Sequence, residues 1–323
     1  MNNFKKIGLS ALAGSLVAFS AHAGELSVTG IASLNISDAD TNGTTLNGNQ
    51  FSMGDSITFS GSGEMDNGMT ISVSYELDGD DAGVSSTFDS HSMTLDTNGM
   101  GTITFAGHGG SSAMSAIDDT TPNAYEESWD GVTGADSTGG STIVDGLSGD
   151  NMFTYKSPTI SGVTATVAYL NASEDVTDVS YMDFAIAVSP EMVDGLTVGY
   201  GQGETEAVTG TVVDDLTMYV KYVYGSATIG YTSSESDGAT AAEDLDFTAF
   251  GVSYAVSDNL TIAYNQSESD NANEAVNQEA TGISASFTSG GMTIAGMMND
   301  VDNVGFDAAN DTEGYALELS FAF

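Results

Sequence analysis

Apolar residues recur at every second position through most of this 323-residue chain. In the first such segment Leu26, Val28, Gly30, Ala32, Leu34 and Ile36 share one face, with Ser27, Thr29, Ser33 and Asn35 on the other. Strand side chains alternate with period two, so the pattern predicts two-faced strands and leaves little room for helices. Sixteen segments read this way. They lie near 26–36, 51–65, 69–77, 87–95, 101–107, 151–157, 162–170, 181–189, 195–201, 216–223, 225–232, 246–255, 259–265, 280–288, 291–297 and 314–323. The last is unusual because the chain stops on it: Tyr315, Leu317, Leu319, Phe321 and Phe323 alternate with Ala316, Glu318, Ser320 and Ala322. An apolar strand at the very end of a chain needs a partner.

The connections fall into two kinds. Short ones carry turn formers, such as "DNG" at 66–68, "TNGMG" at 97–101, "SPTIS" at 157–161 and "SGG" at 289–291. Asn, Gly and Pro supply the backbone angles that tight hairpins demand. Long acidic ones span 37–50, 78–86, 108–150, 171–180, 202–215, 233–245, 266–279 and 298–313. Short and long alternate along the chain, the asymmetry of a membrane barrel with short periplasmic turns and long external loops. Closing the sheet would pair 315–323 with the first strand and leave no edge. The fold class read here is all-β: a transmembrane antiparallel barrel of about sixteen strands.

Composition sharpens this. Lys5 and Lys6, an apolar run over 7–20 and Ala21-His22-Ala23 form a secretory signal peptide, expected at 1–23, with the barrel over 24–323. The run is too short to span a bilayer comfortably, and no later stretch is apolar enough to be a membrane helix. Removing the signal leaves two lysines against 46 acidic residues, a balance of 2 − 46 = −44. No arginine occurs, which makes nucleic acid a very poor partner, since phosphate binding needs Lys and Arg. No cysteine occurs either, so disulfides and thiolate sites are excluded.

Three segments carry a family resemblance: the opening "ELSVTGIASLNIS", the strand "GTITFAG" at 101–107 ahead of the longest loop, and the terminal "YALELSFAF". With these the chain resembles the Gram-negative general porins, and their alphaproteobacterial branch in particular. The resemblance implies a sixteen-stranded outer-membrane barrel, usually a homotrimer, that passes small hydrophilic solutes and ions passively. It implies that the terminal aromatic strand (Tyr315, Leu317, Leu319, Phe321, Phe323) serves as the signal read by the barrel-assembly machinery. It also implies that the third loop, here about 107–150, folds into the lumen. The chain departs from the family in lacking the arginine cluster that commonly lines the facing wall.

Passive transport needs a lumen of suitable size and charge and no catalytic residue. Asp118, Asp119, Glu126, Glu127 and Asp130 in the middle of the inward loop are the candidate acidic constriction. Lys156 and Lys221 alternate with apolar neighbours and are read as lumen-facing, because a lysine on the lipid face costs about 2–4 kcal/mol at the midplane. The excess of carboxylates implies cation preference. No cofactor and no ordered metal site are expected. The stretches 78–89 and 300–311 begin like calcium loops, yet both place an apolar residue fifth and Asp twelfth. Loose divalent cations such as calcium among the acidic loops, bridging to lipopolysaccharide, fit the composition better. His91 and His108 read as ordinary strand-end or loop residues, and no nucleophile, base and orienter converge, so no enzyme is read. Trp129 reads as a packing anchor of the inward loop. Two alternatives remain at this point: a solute-specific outer-membrane channel, or an exported acidic calcium-binding β-solenoid or adhesin.

Overall fold

The computed structural model describes residues 26–323 apart from 42–43, 46–49, 79–87, 119, 130–143, 172–178, 208–209, 239 and 241–243. The expected signal peptide, 1–23, lies outside the described residues. So does most of the calcium-like stretch 78–89.

Sixteen antiparallel strands follow one another around a closed barrel. Closure comes from the first strand, Leu26–Thr41, which pairs with Gln50–Glu64 on one side and with the last strand, Thr312–Ala322, on the other. At that seam Leu34 stands opposite Leu319 and Ile36 opposite Leu317. Gly30 and Phe323 exchange two backbone hydrogen bonds of 2.9 Å, so pairing runs to the final residue. A Cβ added at Gly30 would lie 2.6 Å from the Phe323 ring, so this glycine makes room for the terminal aromatic. Phe323 in turn stacks on Phe321 with ring centroids 6.2 Å apart. Closure gives the apolar C-terminal strand its partner and overturns the solenoid alternative.

The alternation predicted from the chain places apolar residues outward. Tyr75, Tyr155, Tyr169, Tyr254, Tyr264 and Phe323 are all exposed on the outer surface. No helix among the described residues is long and apolar enough to cross a membrane; the strands do the crossing. Inward positions are small or hydroxylic, as in Thr217, Thr232, Ser267 and Ala249. A barrel of this strand number is wide enough to leave an aqueous interior.

Several connections read as long loops are strand for much of their length. Leu196–Ala207 and Val212–Tyr224 occupy most of 202–215, and Ala227–Asp237, Leu260–Asn271 and Met292–Asp302 likewise outrun their expected ends. Here the outward positions change from apolar to acidic while the backbone ladder continues, so the hydrophobic period fades before the strand does. The result is a set of carboxylates directly opposite one another on neighbouring strands. Glu204 faces Asp214, Asp246 faces Asp270, Glu268 faces Glu279, and Glu313 faces both Asp300 and Asp40. Like charges so placed oppose pairing by a few tenths of a kcal/mol each, about 0.2–1 at most. The ladder's hydrogen bonds carry the strands past that cost.

Filling the space over Gly30 tests the seam. Gly30→Val forces the Phe323 ring aside and is expected to lower barrel stability by about 1–3 kcal/mol. The urea midpoint of the refolded chain over 24–323 measures this; an unchanged midpoint would show that the terminal ring contributes nothing to closure.

Candidate functional site: an inward loop on a glycine track

The third long connection leaves the wall after Thr102–His108 and rejoins it at Met152–Lys156. Its neck is a two-residue ladder, Gly110 opposite Gly149 and Ser111 opposite Ser148. His108 Nδ1 stands 2.7 Å from Asp150 Oδ1 across that neck. His108, read from the sequence as an ordinary strand-end residue, therefore clasps the base of the loop. His91 stacks on it at 6.4 Å, and Tyr75 on His91 at 6.3 Å.

Past the neck the loop runs along the inner wall, and side chains of several strands hold it there. Asp183, only 2 % exposed, accepts from the backbone N–H groups of Ala113 (3.1 Å) and Met114 (2.6 Å) and from the Tyr181 hydroxyl (3.0 Å). Hydrogen bonds to an ionised acceptor are among the stronger ones. Thr121 and Thr232 share a hydroxyl contact of 3.3 Å, and the Ala124 N–H donates to Ser284 Oγ at 3.1 Å. Farther on, the Ser128 N–H donates to Asn265 Oδ1 at 2.8 Å, while Asn299 Nδ2 donates to the Ser128 carbonyl at 3.0 Å.

Between these polar clamps the wall is cut away. A Cβ at Gly201 would lie 2.7 Å from Ile117 Cδ1, one at Gly251 would lie 2.6 Å from the Pro122 carbonyl oxygen, and one at Gly282 would lie 3.0 Å from Ser128 Cβ. Pro122 also covers Gly230. The loop thus lies in a track of lumen-facing glycines. Trp129 ends it, 5 % exposed, packed among Val144, Leu245, Phe247, Ala249, Ala280 and Val301, edge-on to Phe247 at 5.2 Å. That position gives the indole a packing role, with no face presented to solutes.

The candidate acidic residues separate. Asp118 accepts from the Gly146 N–H at 2.5 Å and so ties the outgoing arm to the returning one. Glu127 is 3 % exposed and accepts from Asn123 Nδ2. Glu126 is exposed. Asp119 and Asp130 lie outside the described residues. Beside Glu126, burial pushes the Tyr125 hydroxyl up to about 12, helped by the negative charges of Glu318 and Glu126. Glu318, on the closing strand between Asn35 and Ala295, thereby comes within electrostatic reach of the loop.

The two lysines do not share a wall. Lys156 is the last residue of its strand, opposite Thr102 and Thr166, about 13 Å along the strand from Met152, where the loop rejoins. Lys221 pairs with Gly230, the glycine under Pro122, so it sits on the wall that the loop covers. Among the described residues neither lysine makes an ion pair. In 300–311, Val304 is buried in the Trp129 cluster and Asp311 accepts from the Asn303 N–H at 3.0 Å. No group of three or more metal-ligating side chains converges among the described residues.

The family profile for Gram-negative porins matches residues 8–303. This chain belongs to the Gram-negative porin family. No curated protein matches it. Among solved structures, the anion-selective porin from Comamonas acidovorans shares 15 % identity, with a TM-score of 0.71 over 93 % of this chain and 100 % of that one. Salmonella typhi OmpF in complex with daunomycin gives 13 %, 0.70, 93 % and 98 % in the same order. In-vitro folded OmpT of Vibrio cholerae, in a trimer form, gives 13 %, 0.67, 93 % and 100 %. The porin is accordingly an outer-membrane barrel that provides a channel for passive diffusion. At such identities the shared feature is the barrel itself, so the ionic preference of a porin must be sought in the side chains of its own lumen.

Sequence reasoning missed Asp183, because a lone acidic residue in an alternating strand carries no signal of the loop it will meet. Asp183→Ala leaves buried loop N–H groups without an acceptor and is expected to destabilise the loop by about 3 kcal/mol. Single-channel recordings should then show larger and noisier conductance. Traces indistinguishable from the unsubstituted protein would mean that the loop is held without Asp183.

Proposed function

We propose that this protein is a general diffusion porin with cation preference, assembled as a homotrimer, for small hydrophilic solutes and inorganic ions. The observation that carries the reading is the sign of the lumen. The chain has no arginine, and its two mature lysines lie at the strand-end mouth and beneath the loop. The inward loop, with Glu126 exposed on it, therefore lies in a lumen that has no arginine. Carboxylates lining a path admit cations and repel anions. Only charges near the path act at high salt, where screening shortens from about 10 Å at 0.1 M to about 3 Å at 1 M. The acidic rows on the outer strand extensions thus add little to selectivity there.

The experiment is a planar bilayer under a KCl gradient, with the refolded mature chain. The expected record is a reversal potential of cation-selective sign and closure in three equal steps. An anion-selective sign would overturn the preference, and single isolated steps would overturn the trimer.

A further inference from the structure

On the outer face, register sets side chains in rows across the strands from Leu260–Asn271 to Thr312–Ala322. Tyr264, Ile283, Met298 and Tyr315 stand opposite one another, and all four are exposed. Two residues farther from the long loops the row is Ile262, Ala285, Gly296 and Leu317, with small residues at its centre. The next row is large again, with Phe287 opposite Ile294 and Ile294 opposite Leu319. An apolar hollow of about 850 Å³ results, with Ala285 and Gly296 at its floor. On the loop side the outward positions turn acidic. Asp300 faces Glu313, Glu313 faces Asp40, and Asp38 stands opposite Tyr315. These carboxylates line a second hollow of about 520 Å³, which shares Tyr264, Ile283, Met298 and Tyr315 with the first. The two form one groove, apolar below and acidic above, with Asp300 about 13 Å along its strand from Gly296.

An empty recess forfeits dispersion contact along its lining, and a flexible acyl chain can fill an irregular one. The hollow by itself selects no lipid, since every tail in a bilayer is as apolar as the wall. Selection has to come from the ledge, where the Tyr264 and Tyr315 rings mark the change from hydrocarbon to headgroups. Carboxylates set opposite one another on a ladder are unfavourable, and a positive charge among them relieves that cost. Charge therefore argues for a cationic group at headgroup depth. A second copy of the chain is a poor source of it. Residues 24–323 hold two lysines and no arginine, with Lys156 at a strand end and Lys221 opposite Gly230.

We propose that this groove is a docking site for one ammonium-bearing lipid. An acyl chain lies in the hollow over Ala285 and Gly296, and the headgroup ammonium sits among Asp38, Asp40, Asp300 and Glu313. The site is on the outer wall, uses no part of the lumen and stands apart from the ionic preference of the channel. Because the groove spans the closing strand and its neighbours, a lipid bound there also stabilises the closed barrel by mass action.

The test adds phosphatidylethanolamine or phosphatidylglycerol of matched chains to the refolded chain over 24–323 in detergent micelles, and counts retained lipid by native mass spectrometry. One phosphatidylethanolamine per barrel is expected, held about tenfold more tightly than phosphatidylglycerol. Asp300→Asn with Glu313→Gln should bring that preference to about twofold or less. Asp258→Asn with Glu274→Gln, two exposed acids away from the groove, removes the same charge and should leave the preference unchanged. Ala285→Phe fills the hollow and should abolish retention of both lipids; if that barrel does not fold, Ala285→Leu should reduce retention in the same direction. Equal retention of the two lipids, or a preference that survives the Asp300 and Glu313 changes, overturns the proposal. So does phosphatidylglycerol retained only with calcium, which would make the ledge a divalent bridge to an anionic lipid. An Ala285→Phe barrel that keeps its lipid but no longer associates with its copies would assign the hollow to a second copy and overturn it too. Conductance of the same preparations tests the channel separately.

Discussion

Everything in this molecule depends on the pairing of its first and last strands. In hydrocarbon no water is present to satisfy backbone N–H and C=O groups, so a spanning sheet must close. Here closure is carried to the last residue, where Gly30 and Phe323 exchange backbone bonds and the absent side chain of the glycine admits the terminal ring. Once the edges are gone, each strand can be short of apolar residues on its inner face, because burial of that face is not what holds the wall together. The lumen is then free to be polar.

That freedom creates a second problem, since an inward loop has no core of its own. The barrel solves it locally. Glycines remove side chains where the loop must lie flat, and single polar groups (Asp183, Ser284, Asn265 and Asn299) take up the loop's backbone groups in order. Trp129 contributes the one large apolar contact at the far end. Buried loop N–H groups would be costly without these acceptors, so the clamps and the track act as a unit.

The acidity of the chain divides between two places with different consequences. On the outer strand extensions carboxylates face carboxylates across the ladder, far from the path and open to screening. Among the described acids of the loop, Asp118 accepts from Gly146 and Glu127 from Asn123. Glu126 is exposed on the same stretch of loop.

The sequence by itself determined the fold, because the period-two face, the tight turns and the aromatic terminus are local properties that survive without knowledge of neighbours. It also excluded an arginine cluster on the wall, since the chain contains no arginine. It misjudged where the outer hairpins end, because the apolar half of the alternation stops at the membrane while the hydrogen bonds continue through residues such as Glu204 and Glu206. It gave no role to His108 or Asp183, whose partners lie 42 and 70 positions away. Only the tertiary structure brings those together. Which carboxylates line a path is decided by where a loop crosses a closed wall, and that is a long-range fact that no local pattern contains.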